Sequence, residues 1–179
     1  MNPGDLVRIC SEAEASGVLS LQHDDCLAYW DIDYETMYRT GEAFGLRMER
    51  CPIRDFDVAD MRRRLPDAVS LLADMIARDH QVYVHCTAGM GRAPLTVLGY
   101  LTLVEGYSPE TAVRMIREGR PESIIAWEAF EGCREDLAAG NREAIEQRAY
   151  ELYKTGTNHD SKDNWFQAQT EILHAVLTK

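Results

Sequence analysis

The sequence lacks long apolar runs. No stretch approaches the ~20 consecutive apolar residues that a membrane-spanning helix needs. Residues 1–5 also lack the basic and apolar regions of a secretory signal. No C-x-x-C pair is present, so we expect no structural zinc site, and the cysteines are odd in number and widely spaced: Cys10, Cys26, Cys51, Cys86 and Cys133. We therefore predict a cytoplasmic protein with reduced thiols and no membrane association.

Basic residues are also scarce. The 179-residue chain has 19 Lys and Arg against 30 Asp and Glu, which gives a formal net charge of −11. Nucleic-acid binding depends on Lys and Arg that replace phosphate counterions, so we expect no nucleic-acid partner. The sequence is 45% hydrophobic and 27% charged, as in ordinary globular proteins. Any phosphate bound by this chain must be held by local groups against the overall charge.

Hydrophobic periodicity alternates between strand and helix patterns, which predicts an α/β fold with a mainly parallel central sheet flanked by helices. The pattern breaks near residues 138–141, and two further helical stretches follow. We therefore predict a main domain over 1–138 and a helical hairpin over 141–179. The predicted strands are 18–21, 46–53 and 81–85, residues 23–33 are predicted as a loop, and the predicted helices are 5–16, 34–44, 61–79, 94–104, 109–119, 124–137, 142–153 and 165–177.

The most informative segment is His85-Cys86-Thr87-Ala88-Gly89-Met90-Gly91-Arg92, placed between the best strand and a helix opened by Pro94. Backbone N–H groups in a loop that leads into a helix bind anions, so residues 87–92 are candidate phosphate ligands. We expect Gly89 and Gly91 to supply positive φ angles.

Positive potential in such a loop favours a thiolate, which makes Cys86 a candidate nucleophile. Arg92 can donate two parallel hydrogen bonds to a phosphoryl group, and His85 is expected to orient the loop. The alternative is a buried cysteine followed by a solvated arginine.

His-Cys-x5-Arg resembles the signature of cysteine-based tyrosine and dual-specificity phosphatases. The longer text, which continues into Ala93-Pro94, resembles the glucan phosphatases of the starch-excess and laforin group. The likeness extends upstream through Ile53-Arg54-Asp55-Phe56-Asp57, Leu19-Ser20-Leu21-Gln22 and Tyr29-Trp30. It implies a phosphocysteine intermediate, no metal or other cofactor, and a dual-specificity-phosphatase-like catalytic domain over 1–138. Residues 141–179 resemble a small helical module appended to bacterial proteins.

Phosphate-ester cleavage also needs a carboxylic acid to protonate the leaving oxygen. Asp55, Asp57 and Asp60 all follow the strand that ends at Ile53. The resemblance places the general acid at Asp55, with Asp57 held in reserve. Asp57 or Asp60 could instead cap the helix that follows.

Two features bear on the substrate. Most protein-directed relatives carry Ser or Thr after the arginine, whereas Ala93 matches the glucan group. Sugar rings stack on aromatic side chains, and Tyr29, Trp30 and Phe56 are the candidates for that role. We therefore expect a phosphorylated glucan or sugar as substrate. A phosphoprotein substrate, a non-catalytic phospho-ligand-binding module and another cysteine-loop enzyme remain alternatives.

A further departure from the family concerns the amino end of the domain. Dual-specificity domains usually begin with a strand, whereas here a helix is predicted close to Met1. We therefore expect that strand to be absent or supplied by another segment. Self-association through the hairpin is a further expectation.

The basic run 62–64 fits either a solvated helix face or a surface that attracts anionic substrate.

Overall fold

The computed structural model describes residues 3–156 and 160–179, so residues 1–2 of the predicted main domain and 157–159 of the predicted hairpin lie outside the described residues. The elements are α1 Pro3–Glu12, β1 Gly17–Gln22, α2 Asp24–Tyr29, α3 Tyr34–Ala43, β2 Arg47–Ile53, α4 Val58–Ala77, β3 Val82–His85, α5 Arg92–Leu103, α6 Pro109–Gly119, α7 Trp127–Gly140, α8 Arg142–Thr155 and α9 Ser161–Leu177.

A parallel three-stranded sheet with the order β2-β1-β3 lies at the centre, which confirms the predicted α/β class. The central strand β1 is buried along its whole length because neighbouring strands cover both edges and helices cover both faces. Since the strands are parallel, their carboxyl ends meet at one edge of the sheet. Gln22, Ile53 and His85 end the three strands there, and the candidate site lies beyond them.

Two apolar clusters hold the helices against the sheet. One joins Leu19 and Leu21 of β1 to buried residues of α4, α5 and α7. The other joins Val18, on the opposite face of β1, to buried residues of α1 and α3. Leu173 and Leu177 of α9 belong to the first cluster, so the C-terminal helix packs against the same core as the sheet.

The prediction of a loop over 23–33 was wrong, because residues 24–29 form α2. His23 caps this helix by accepting a hydrogen bond from the Asp25 N–H through Nδ1, at 3.2 Å. Two aspartates in the first turn complement the helix dipole. Leu27 is the only buried residue of α2, so the helix leaves no hydrophobic periodicity to detect.

Several helix and strand boundaries also differ from the predicted ones. Helix α1 ends at Glu12 rather than at 16, because Glu14 takes a positive φ of 50° that turns the chain toward β1. Pro52 lies inside β2 rather than marking its end, which an edge strand with a local register shift tolerates. Helix α4 begins three residues before the predicted start because Asp57 caps it.

One edge of β3 has no neighbouring strand among residues 3–156 and 160–179, so no described segment supplies the strand expected from the family. No helix in these ranges is long and apolar enough to cross a membrane.

Candidate active site

The segment from Cys86 to Gly91 forms a tight loop between β3 and the amino end of α5. Gly89 has a φ of +68°, as predicted, whereas Gly91 has a φ of −119° and needs no glycine for that reason. Within the described residues, no oxygen accepts a hydrogen bond from the N–H groups of residues 87–91. Five N–H groups and a helix amino end therefore remain free to bind an anion beside Cys86.

Arg92 is fully buried, which excludes the alternative of a solvated arginine. Its Nη1 donates to the Ile53 carbonyl at 2.9 Å and the Leu21 carbonyl at 3.4 Å, so the ends of β2 and β1 hold the guanidinium. Its Nη2 donates to Asp55 at 2.8 Å and to the Thr87 hydroxyl at 3.0 Å. The buried Nε has no acceptor in the described chain. The Nε–Nη2 edge is thus the edge suited to a bidentate phosphoryl contact.

The three candidate acids have different surroundings. Asp55 contacts Arg92 and is about one-third exposed, at 34% of its side-chain surface. Asp57 accepts the Asp60 N–H at 2.9 Å and caps α4. Asp60 accepts the Arg54 N–H at 2.8 Å and pairs with Arg63, and these hydrogen bonds lower its pKa against the opposing effect of burial. Only Asp55 combines contact with Arg92 and access to the cleft.

A cleft of about 410 Å³ opens between Asp55 and the α2 helix. Tyr29 and Trp30 line it as an edge-to-face pair with centroids 5.1 Å apart. Their exposures of 80% and 59% exclude ordinary core packing. Phe56 does not line this cleft; its ring is 94% exposed and its φ is +58°. The predicted aromatic set is therefore divided between a cleft wall and a solvent-facing ring.

Four cleft residues were absent from the sequence prediction: His23, Asp25, Cys26 and Arg54. They reach the cleft through α2 and the strand end that precedes Asp55. The sequence carried one usable signal, the adjacent aspartates at 24 and 25, because acidic residues are enriched in the first turn of a helix. Cys26 lies near the buried arginine, with its Sγ 3.5 Å from Arg92 Nη1.

Burial shifts the pKa values of His85, Cys51 and Cys133, so that all three side chains are uncharged at pH 7. Desolvation lowers the pKa of His85 to about 4, so the ring is neutral at pH 7, and its Nδ1 lies 3.1 Å from the Cys86 carbonyl. That carbonyl accepts the hydrogen bond, so we assign the proton to Nδ1. Desolvation raises the pKa of Cys51 to about 11 and of Cys133 to about 12, which keeps both as unreactive thiols.

In the ranges 3–156 and 160–179, no group of three or more His, Cys, Asp or Glu side chains is arranged to bind an ion.

Comparison with known proteins gives concordant results. The profile of the dual specificity phosphatase catalytic domain matches residues 23–132. An amyloplastic phosphoglucan phosphatase of Castanea sativa is 34% identical over 130 residues, which cover 72% of this chain and 34% of that protein. Laforin of Mus musculus is 32% identical over 104 residues, which cover 58% of this chain and 32% of that protein. The matches thus span about a third of each relative.

Solved structures show the same fold. A kinase associated phosphatase superimposes with a TM-score of 0.60 at 19% identity, covering 76% of this chain and 78% of that one. The active form of the phosphatase Tk-PTP superimposes with a TM-score of 0.58 at 22% identity, covering 75% and 86%. The loop, the buried arginine, the matched profile and these folds agree: the chain belongs to the dual specificity phosphatase catalytic-domain family.

Proposed function

We propose that this chain hydrolyses phosphate monoesters through a phosphocysteine intermediate. One observation carries the proposal: Arg92 is anchored by two strand-end carbonyls and presents its other edge to Asp55, beside five free N–H groups. Such an arrangement binds the three non-bridging oxygens of a phosphoryl group and stabilises the charge that develops on them.

The reaction needs two displacements. In the first, the Cys86 thiolate attacks phosphorus, an S–P bond forms and the P–O bond to the leaving group breaks. Asp55 donates its proton to that leaving oxygen. In the second, Asp55 as a carboxylate takes a proton from water, whose oxygen attacks phosphorus while the S–P bond breaks. Inorganic phosphate leaves and the Cys86 thiolate is restored. The phosphoryl group replaces Asp55 on Arg92 Nη2, so binding releases the acid for proton transfer.

We propose a phosphorylated glucan or sugar as the substrate. Tyr29 and Trp30 present ring surface to the cleft beside Asp55, where a sugar attached to a bound phosphate would lie. Ala93, buried beside the loop, also matches the glucan group rather than the protein-directed one. The identities to the Castanea sativa phosphatase and laforin support the same class.

Phosphate release distinguishes the substrate classes. We expect faster release per enzyme from a phosphorylated glucan than from a phosphotyrosine peptide, and no release from either by Cys86→Ser. That variant should keep binding phosphate esters, because the loop and Arg92 are unchanged. A rate above a few per cent of wild type in Cys86→Ser would remove Cys86 as nucleophile. Faster release from the peptide would favour a protein phosphatase.

A non-catalytic binding module is the remaining alternative. Its signature is phosphate binding without release of phosphate from any ester, including an aryl phosphate. Acid quench of the wild-type enzyme during turnover of a radiolabelled phosphate ester tests this directly. We expect label bound to the protein through Cys86, and the absence of both labelled protein and released phosphate would support the binding module.

The hairpin and the cellular location are further proposals. We propose that 1–138 carries catalysis and that α8 and α9, joined by an Arg148–Glu171 ion pair at 2.6 Å, brace it through Leu173 and Leu177. Self-association through the exposed hairpin face, tested by light scattering, and a cytoplasmic location, tested by imaging, stay predictions.

A further inference from the structure

On the outer side of the phosphate loop, every second carbonyl group from Cys86 to Met90 accepts a hydrogen bond. The Cys86 carbonyl accepts a hydrogen bond from the His85 ring at 3.1 Å. The Ala88 carbonyl accepts one from Arg120 Nη2 at 2.9 Å, and the Met90 carbonyl accepts one from the Ile124 N–H at 2.8 Å. Alternate carbonyls are therefore held away from the centre of the loop.

Two of these three hydrogen bonds are donated by one short segment, residues 120–124, between α6 and α7. A hydrogen bond from the Ser123 N–H to the Arg120 carbonyl, at 3.1 Å, closes a turn within it. The guanidinium of Arg120 also lies over Gly89, with Cζ 3.4 Å from the position a Cβ would occupy there. This side chain therefore contacts the loop at the residue with positive φ and at the carbonyl just before it.

We propose that Arg120 is a positioning residue that holds the phosphate loop in its anion-binding conformation; this rests on the proposed phosphatase function. The physical reason is the coupling between the two sides of each peptide unit. A peptide plane that turns its carbonyl outward turns the N–H of the next residue inward. Fixing the Ala88 carbonyl therefore aims the Gly89 N–H, and fixing the Met90 carbonyl aims the Gly91 N–H, toward the anion.

Of the two hydrogen bonds supplied by this segment, only that of Arg120 comes from a side chain, so it is the one that a side-chain substitution can remove. If Arg120 is lost, the plane between Ala88 and Gly89 can rotate, because glycine tolerates either orientation. A rotated plane would direct a carbonyl oxygen at the thiolate and the phosphoryl group. Both phosphate affinity and the thiolate population of Cys86 would then fall.

The test compares Arg120→Ala with Arg117→Ala. Both remove one exposed cation from neighbouring turns, but no hydrogen bond or ion pair joins the Arg117 side chain to another described residue. We expect Arg120→Ala to weaken competitive inhibition by inorganic phosphate about 10-fold or more, as loss of a charge-assisted hydrogen bond would. The pH profile of Cys86 alkylation by iodoacetamide should shift to higher pH. Arg117→Ala should change neither quantity.

A conservative variant and added salt separate the hydrogen bond from a general charge effect. Arg120→Lys retains a donor on a long side chain and should recover part of the lost phosphate affinity. The difference between wild type and Arg120→Ala should persist at 1 M salt, where the Debye length is about 3 Å and exposed charges are screened. Disappearance of that difference would mean that Arg120 acts through its charge alone and would overturn the proposal.

Unchanged alkylation and phosphate inhibition in Arg120→Ala would also overturn it. Alkylation of Cys86 needs no turnover, so it tests the positioning role of Arg120 even if no ester is hydrolysed. Failure of wild type to release phosphate while the alkylation shift is present would refute the proposed function and leave the positioning role intact. Equal thermal midpoints for the two alanine variants would show that the effect is not general destabilisation.

Discussion

Asp55 and Asp57 lie two residues apart in one loop, and the structure predicts opposite consequences for the same substitution. Asp55 contacts Arg92 at 2.8 Å, whereas Asp57 caps α4 through the Asp60 N–H at 2.9 Å. We compare Asp55→Asn with Asp57→Asn. An asparagine at 55 still offers an oxygen to Arg92 but cannot donate a carboxylic proton. An asparagine at 57 remains a good N-cap.

The expected magnitudes follow from these roles. Loss of the general acid should lower kcat by about 10²–10⁴-fold for a poor leaving group. At about 1.4 kcal/mol per decade this is about 3–5 kcal/mol of transition-state stabilisation. Because the Arg92 contact survives, the thermal midpoint of Asp55→Asn should stay close to that of wild type. Asp57→Asn should leave both kcat and the midpoint nearly unchanged.

The assay measures kcat on a series of phosphate esters whose leaving groups differ in basicity, and the pH dependence of kcat/KM. The loss in Asp55→Asn should grow with leaving-group basicity, and the decline of the rate at high pH should disappear. A larger loss in Asp57→Asn would reverse the assignment of the two carboxyls. Equal losses at all leaving groups would show that Asp55 only positions Arg92.

The remaining predictions concern stability and the substrate. Asp57→Ala removes the cap and should cost about 1 kcal/mol, or about 2–4 °C in Tm, without lowering kcat; an unchanged Tm would contradict the capping role. Because burial lowers the pKa of His85 to about 4 from an ordinary 6.5, the unfolded chain takes up the proton first as pH falls. The histidine should therefore remove up to about 3 kcal/mol of stability between pH 6.5 and 4, and chemical denaturation of His85→Asn should show a shallower pH slope; an equal slope would refute this. Trp30 lines the cleft and Phe56 does not, so Trp30→Ala should lower kcat/KM on a phosphorylated glucan up to about 10-fold. Phe56→Ala should lower it less, and neither should change the rate on an aryl phosphate; equal losses on both substrates would remove the support for sugar stacking.

Local sequence was enough to determine the phosphate loop and the fold class. The strand ending at His85, the glycine at 89 and the helix that follows the loop are short-range features, because glycine accommodates the positive φ of the turn and the helix amino end comes next in the chain. The alternation of strands and helices likewise specified a parallel sheet, because parallel neighbours need helical crossovers. These expectations agree with the structure because the motif and each strand or helix pattern depend only on residues close together in the sequence.

Only tertiary structure decided which groups meet. The contact that distinguishes Asp55 from Asp57 is made with an arginine 37 residues further along the chain, which is held by the end of a neighbouring strand. The basic run 62–64 was expected either to be solvated or to attract substrate. Its side chains are 41–71% exposed, as on a solvated helix face, and each pairs with a carboxylate: Asp136, Asp60 and Asp67. Neither the six-residue helix α2 nor the Arg120 contact with the loop was predicted from the sequence. The first buries a single leucine, and the second joins residues 32 apart. Periodicity and motif spacing report on neighbours in sequence, whereas these contacts arise only when the sheet brings separate segments to one edge.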